Sequence, residues 1–251
     1  MITKHLIPIP DLLEAKNVLT IVPHPDDAEL IAAGTISILT SLGAHVEYVL
    51  ASDGSRGGYD PSISEENLAA TRRQEQTRAA KIIGVNDITW LGFKDTQVPH
   101  PEVVRSPLIS IIREKKPDFI LTTDPWLPYE SHPDHRRTSM AAVEACLFSS
   151  IPMVQPEDLA KGLGPWQVQG IAMALSPRPN TFINIEASWE KKVEALKCHE
   201  SQFPPEVWEV FYPVIAAKCK EYGASIGAQW AEAFKVVTPT HLHVMPDTWD
   251  L

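Results

Sequence analysis

Between residues 17 and 148, short apolar runs alternate with longer stretches in which apolar side chains recur at helical spacing. The runs at 17–22, 45–51, 87–91 and 118–122 predict buried strands, while 28–42, 65–83, 106–116 and a segment opened by Pro133 predict helices. The punctuation agrees: Ser64 and Ser106 stand where helix caps are expected, Gly43 and Gly84 where helices stop, and Pro107 and Pro133 at first helical positions. Pro117 ends the third helix. The resulting βαβαβαβα order has the spacing of parallel right-handed crossovers. The fold class expected is therefore α/β, a Rossmann-like, mostly parallel sheet with helices on both faces.

Outside this core the pattern predicts less regular structure. A short helix over 12–16 precedes the first strand. Residues 149–166 read as a long loop, 168–175 and 181–185 as two further strands, and 188–199 as a helix capped by Ser188. Residues 205–222 and onward to 234 read as helical, with Pro213 expected to kink or split the helix. Short strands are expected at 235–237 and 242–244. One domain over 1–251 is the simplest count, with 17–148 as its βα core and 149–251 adding C-terminal strands and helices.

The polar residues that interrupt this pattern gather at strand ends. The first strand runs into His24, Pro25, Asp26 and Asp27, at the carboxyl end, where open α/β sheets place ligand sites. If the chain turns helically from Pro25, His24 and Asp27 lie three apart and face one point, with Asp26 aimed elsewhere. Two potential ligands and a free carboxylate make the start of a hydrolytic metal site. The fourth strand runs into the block 124–137, where His132 and His135, three apart at a helix start, offer one metal ligand and one neighbouring acid. Arg72 and Glu75 are spaced to pair on one helix face, and Asp95 is a third acidic residue delivered to the same sheet edge. The glycine-rich stretch 52–60 lacks GxGxxG spacing and reads as a flexible pocket rim, with Arg56 in solvent. His5, His45, His100 and His241 read as structural or exposed, and His199 as a packing or capping residue.

His24-Pro25-Asp26-Asp27 with the later His132-Pro133-Asp134-His135 resembles the LmbE/PIG-L-like N-acetylglucosaminyl deacetylases, which are zinc-dependent amidohydrolases. The resemblance extends to Arg72 and Glu75, to 90–96, to 199–204 and to 243–246, and is nearest the archaeal-type diacetylchitobiose deacetylase branch. It implies hydrolytic deacetylation of an N-acetylglucosamine unit, with Zn²⁺ held by His24, Asp27 and His135. Asp26 is then the expected general base, a protonated His132 the oxyanion stabiliser, and Asp134 a carboxylate that orients one of the histidines. The resemblance further implies that Arg72 and Asp95 hold sugar hydroxyls. It also implies that His243 approaches a neighbouring subunit's pocket, which requires a homo-oligomer, a hexamer or a trimer. Glu130 occupies a position where some relatives carry a mobile tyrosine, and Tyr129 lies one residue earlier, so the tyrosine's role does not transfer. Two other readings are a deacetylase of glucosaminyl-malate or inositol conjugates in thiol synthesis and a non-catalytic sugar- or metal-binding module. A malate-bearing substrate would want an extra cation in the rim, for which only Arg56 is a candidate. The module would have no need of Asp26.

Composition narrows the rest. The chain has 251 residues, 44% hydrophobic and 22% charged, as a folded globular protein should. A net charge of −10 without a long Lys/Arg cluster argues against a nucleic-acid partner and fits a small neutral amino-sugar substrate. No apolar run is long enough to predict a membrane span. The N-terminus shows no signal-peptide pattern, and Cys146, Cys198 and Cys219 form no CxxC pair, so a reducing, cytoplasmic setting is expected.

Overall fold

The computed structural model describes residues 6–251. The core alternates strands and helices in chain order: β1 (Asn17–Val22), α1 (Asp27–Ser41), β2 (His45–Ser52), α2 (Glu65–Ile82), β3 (Asp87–Phe93), α3 (Pro101–Lys115), β4 (Phe119–Thr123) and α4 (Pro133–Phe148). A short α5 (Glu157–Ala160) interrupts the segment expected as a loop. Then come β5 (Gly170–Ala174), β6 (Thr181–Asn184), α6 (Trp189–Lys197), α7 (Pro205–Ala224), β7 (Ala231–Val237) and α8 (Pro239–Val244). The seven strands form one sheet in the order β3-β2-β1-β4-β5-β7-β6. The first five in that order run parallel, and β7 is antiparallel to both β5 and β6.

Alternation along β1 explains why it sits in the middle. Val18 and Val22 point into one apolar layer, and Leu19 and Ile21 into the other. A strand with both faces apolar has no solvated side and must be covered twice. The first layer is closed by α1, α2, α6 and α7 through residues such as Ile36, Ala80, Leu196 and Ile215. The second is closed by α3 and α4 through Leu108, Ile112, Ala142 and Cys146.

Four elements differ from expectation. Helix α3 begins at Pro101, and Pro107 lies inside it; α7 likewise runs unbroken through Pro213. In each case the proline's missing N–H frees one carbonyl, of Val103 or Glu209, and both of those residues are exposed, where water can take the bond. Residues 231–234, expected as helix, belong to β7, which is buried along its whole length. Its two charged residues disguise a core strand: Glu232 meets Lys192 Nζ at 2.7 Å, and Lys235 Nζ donates to the Leu251 and Trp249 carbonyls. Residues 242–244, expected as strand, end α8, which Thr238 and His241 open as a capping box with Pro239 at its first position. Ser188 caps no helix; its hydroxyl donates to Gly34 O.

The connection 149–169 is fastened to α3 by Ser110, which donates to Asp158, and by one fully buried side chain. The Arg113 guanidinium, 1% exposed, donates to the carbonyls of Ser149, Ile151, Val154 and Gln155 and lies 3.1 Å from Asp158 Oδ2. Burial raises the Asp158 pKa, but bonds from Ser110, Lys161 and Arg113 outweigh it and hold the carboxyl below its usual range. A depressed folded pKa gives stability that is present above the unfolded value and lost as pH falls through the folded one. Asp158→Asn leaves Arg113 buried without its counter-ion and should cost about 3–5 kcal/mol in urea unfolding at pH 7. The gap between wild type and variant should shrink as the pH is taken below the usual aspartate range.

Candidate active site

The parallel strands deliver their carboxyl ends to one edge. β1 leads into His24, β3 into Asp95 and β4 through a loop to His132 and Asp134, and these side chains meet over the start of α1. The His24 ring is gripped from both ends: Nδ1 lies 3.2 Å from Asp27 Oδ2, and Nε2 lies 3.2 Å from Asp95 Oδ1 and 3.3 Å from Asp134 Oδ2. His135 Nε2 lies 3.6 Å from the other Asp27 oxygen. The three imidazoles crowd together, with His24 4.7 Å from His132 and 5.3 Å from His135 between ring centroids. A cavity of about 210 Å³ opens over them, lined also by Asp26, Arg56, Arg72, Thr96 and Gln202.

Asp26 does not aim away from this cavity, as a regular helix start would require. Its φ of 92° and ψ of −29° put it in the left-handed region, which costs a residue with a side chain on the order of 1–3 kcal/mol. That turn of the backbone lets adjacent Asp26 and Asp27 line one space. Arg72 supports the turn, donating from Nη2 to Pro25 O at 2.6 Å and to Asp26 Oδ2 at 3.1 Å. The glycine-rich loop is wrapped on the same guanidinium: a Cβ at Gly54 or Gly57 would come within 2.9 or 2.6 Å of it. It is therefore a packed wall, and Arg56 on it is tied to Glu65 and Thr96.

Electrostatics follow from concentrating carboxylates in a small buried volume. Burial pushes the Asp26 pKa up, to about 6, against the lowering effect of Arg72. Burial also acts to raise Asp27, but His135 and His24 win and bring it to about 2. Desolvation opposes a charged His24, yet bonds to Asp134, Asp27 and Asp95 raise its pKa well above the ordinary value. His132 moves down, through burial and the neighbouring imidazoles His24 and His135. Its Nδ1 accepts the Asp134 N–H at 3.2 Å, so that nitrogen carries no proton and Nε2 is the donor.

Two sets of donor atoms come close enough to share an ion: His24, Asp27 and His135, and His24, Asp95, His132 and Asp134. The second set is already committed. Asp134 accepts the Thr96 and Val98 N–H groups, Asp95 accepts that of Arg56, and His132 Nδ1 caps α4. These carboxylates hold His24 by Nε2 and leave Nδ1 facing Asp27. Two imidazoles and a carboxylate around an open cavity form a donor set suited to a catalytic divalent ion.

The other residues singled out from the sequence are placed as follows. Glu75 does not hold Arg72; both its oxygens accept from Ser201, its N–H and its hydroxyl. Asp95, 3% exposed, lines the cavity, with one oxygen beside His24 and the other accepting the Arg56 N–H. His199 is fully buried against Glu29, and His241 caps α8. His243 is exposed on α8 and is not among the cavity's lining residues. His5 lies outside the described residues. The sequence assigned no role to Glu130, whose Oε1 accepts the His132 N–H and whose Oε2 lies 3.3 Å from His135 Nδ1, nor to Gln76 and Gln202. Glu130 lay within the motif, but glutamines carry no spacing signal that separates them from surface residues.

A mostly parallel, doubly covered sheet with this His/Asp cluster at the carboxyl edge of its parallel strands is an arrangement suited to a metal-assisted hydrolase. A family model described as PIG-L, GlcNAc-PI de-N-acetylase, matches residues 19–146. The chain is 40% identical over 233 residues to the diacetylchitobiose deacetylase of Thermococcus kodakarensis, covering 93% of this chain and 87% of that one. It is 30% identical over 201 residues to a probable N-acetyl-alpha-D-glucosaminyl L-malate deacetylase 2 of Bacillus anthracis, covering 78% and 85%. It also superimposes on an inhibitor complex of N,N'-diacetylchitobiose deacetylase from Pyrococcus horikoshii with a TM-score of 0.94 and 38% identity, over 100% of this chain and 95% of that one. This chain belongs to the PIG-L deacetylase family.

The Glu75–Ser201 bonds tie the loop carrying Gln202 to α2. Glu75→Ala strands the half-buried Ser201 N–H and hydroxyl and should cost about 1–3 kcal/mol in thermal unfolding. Amide hydrogen exchange at Ser201 and Gln202 should rise before the rest of the chain responds.

Proposed function

We propose that this protein is a zinc-dependent deacetylase that hydrolyses the acetamide of N-acetylglucosamine units, with N,N'-diacetylchitobiose as substrate, giving acetate and a free amino sugar. The observation that carries this reading is the convergence of His24 Nδ1, Asp27 and His135 Nε2 in a cavity that the Asp26 side chain also lines. The similarity to two archaeal diacetylchitobiose deacetylases supports the substrate.

In this mechanism His24, Asp27 and His135 would hold the ion. When bound there, zinc makes a water acidic enough to react near neutral pH and polarises the amide carbonyl. Asp26 takes the proton of the attacking water and returns it to the sugar nitrogen as the C–N bond breaks. His132 presents Nε2–H to the oxyanion as a neutral imidazole, so the protonated form first expected is not needed. Asp134 and Asp95 orient His24 through Nε2. Arg72 fixes the Pro25–Asp26 turn, and with Asp95, Arg56, Thr96 and Gln202 it lines the cavity where sugar hydroxyls would be held. His243 reaches a pocket only if a second copy of the chain brings it there, as a homo-oligomer would.

The malate-conjugate reading ranks second. Its relatives are more distant, and the rim's Arg56 is already matched by Glu65 at 2.9 Å, leaving less charge for a substrate carboxylate. Acetate release from N-acetylglucosamine, diacetylchitobiose and the malate conjugate should favour the disaccharide; release from the malate conjugate alone would reverse the ranking. Asp26→Asn should retain bound zinc while kcat falls roughly 10²–10⁴-fold. Loss of zinc from that variant would exchange the ligand and base roles.

A further inference from the structure

The left-handed turn at Asp26 is fixed by a chain of buried polar groups drawn from three separate segments. The Asp26 N–H donates to Gln76 Oε1 at 2.9 Å, and Gln76 Nε2 donates to Glu29 Oε1 at 2.9 Å. The second Glu29 oxygen lies 3.2 Å from His199 Nε2. Gln76, Glu29 and His199 are each 0% exposed, and His199 Nδ1 has no hydrogen-bond partner among the described residues. We propose that Gln76, oriented by Glu29 and His199, is a positioning residue that sets the backbone at Asp26 and so aims its carboxylate into the cavity. The inference deepens the proposed function and rests on Asp26 being its base.

The polarity of the chain is determined by what each group can do. Glu29, paired with His199, accepts on both oxygens, so the Gln76 amide must turn its NH₂ toward Glu29 and its carbonyl toward Asp26. Glu29 thereby decides which end of the glutamine meets the Asp26 N–H. Arg72 acts on the same turn from its other side, through Pro25 O and Asp26 Oδ2. In a regular helix neighbouring residues point about 100° apart, so without the positive φ Asp26 and Asp27 would not share one space. The His24 N–H to Asp27 bond at 2.9 Å holds Asp27 independently, so the device acts on the base and spares the ligand.

Exchanging the two side chains provides the test. Gln76→Glu faces Glu29 with a second carboxylate and removes the donor between them. In the double variant Glu29→Gln with Gln76→Glu the donor is restored in reverse. The amide now at position 29 would donate to the carboxylate at position 76, which still accepts the Asp26 N–H, and the amide's own carbonyl would accept from His199. The single variant should lose on the order of 10–100-fold in kcat, the effect of a small misplacement of a reacting group, with KM and bound zinc little changed. The exchanged pair should recover most of that loss. Gln76→Met is the neutral control should the single carboxylate variant fail to fold; its crystal structure should show Asp26 outside the positive-φ region. Wild-type kcat in both single variants, or a positive φ at Asp26 in Gln76→Met, would overturn the inference. If wild type releases no acetate from any N-acetylated amino sugar, the proposed function fails instead, and the φ readout still decides the positioning role.

Discussion

Everything in this molecule answers to the cost of burying carboxylates beside one another. Asp27, Glu29, Glu75, Asp95 and Asp134 are each at most 5% exposed, and Asp26 joins them at the cavity wall. An isolated buried carboxylate would neutralise itself by taking a proton. Here each is met by donors aimed at it: Arg72 at Asp26, backbone N–H groups at Asp95 and Asp134, Ser201 at Glu75, imidazoles at Asp27 and Glu29. Against the cost of its burial, bonds to Asp134, Asp27 and Asp95 lift His24 well above its ordinary pKa. A divalent cation between His24, Asp27 and His135 would answer the same carboxylates with His24 neutral, as a metal ligand must be.

That electrostatic arrangement depends on the second half of the chain as much as on the first. Lys192 on α6 donates to the Glu29 and Leu30 carbonyls and to Glu232 on β7, whose carboxylate accepts the Gly34 and Thr35 N–H groups. Helix α1, which starts with Asp27, is thus clamped along its middle by α6 and β7. A Cβ at Gly34 would meet Ile185 at 2.8 Å, a measure of how closely the connection after β6 is pressed against that helix. The βα core supplies the functional groups, and the C-terminal elements fix the helix that orients several of them.

The sequence shows clearly what periodicity and punctuation govern. β1, α1, β2, α2 and α4 fall within a few residues of expectation, because buried strands, glycine stops and the Ser64 cap are local signals. His24, Asp27, His132 and His135 were legible as one site because each follows a strand of the same parallel sheet. What local patterns hide is partnership across the fold. Glu75 is spaced to meet Arg72 but meets Ser201, 126 positions away, and Asp134 lies between two histidines yet grips a third, His24, 110 positions away. Glu232 and Lys235 made a core strand look amphipathic, since their counter-groups lie on other elements. The turn at Asp26 was illegible for a related reason: a positive φ at a non-glycine residue is imposed by neighbours, here Gln76 and Arg72, and not by its own side chain.

The proposed chemistry requires that His24 Nδ1, Asp27 and His135 Nε2 share one ion, with Asp95, His132 and Asp134 standing behind or beside it. An anomalous difference map at the zinc edge, from crystals of the zinc-loaded protein, would locate that ion. A single strong peak is expected about 2.0–2.2 Å from those three donors. A peak bonded to His24 Nε2 and lying among Asp95, His132 and Asp134, or no peak in the cavity at all, would contradict it.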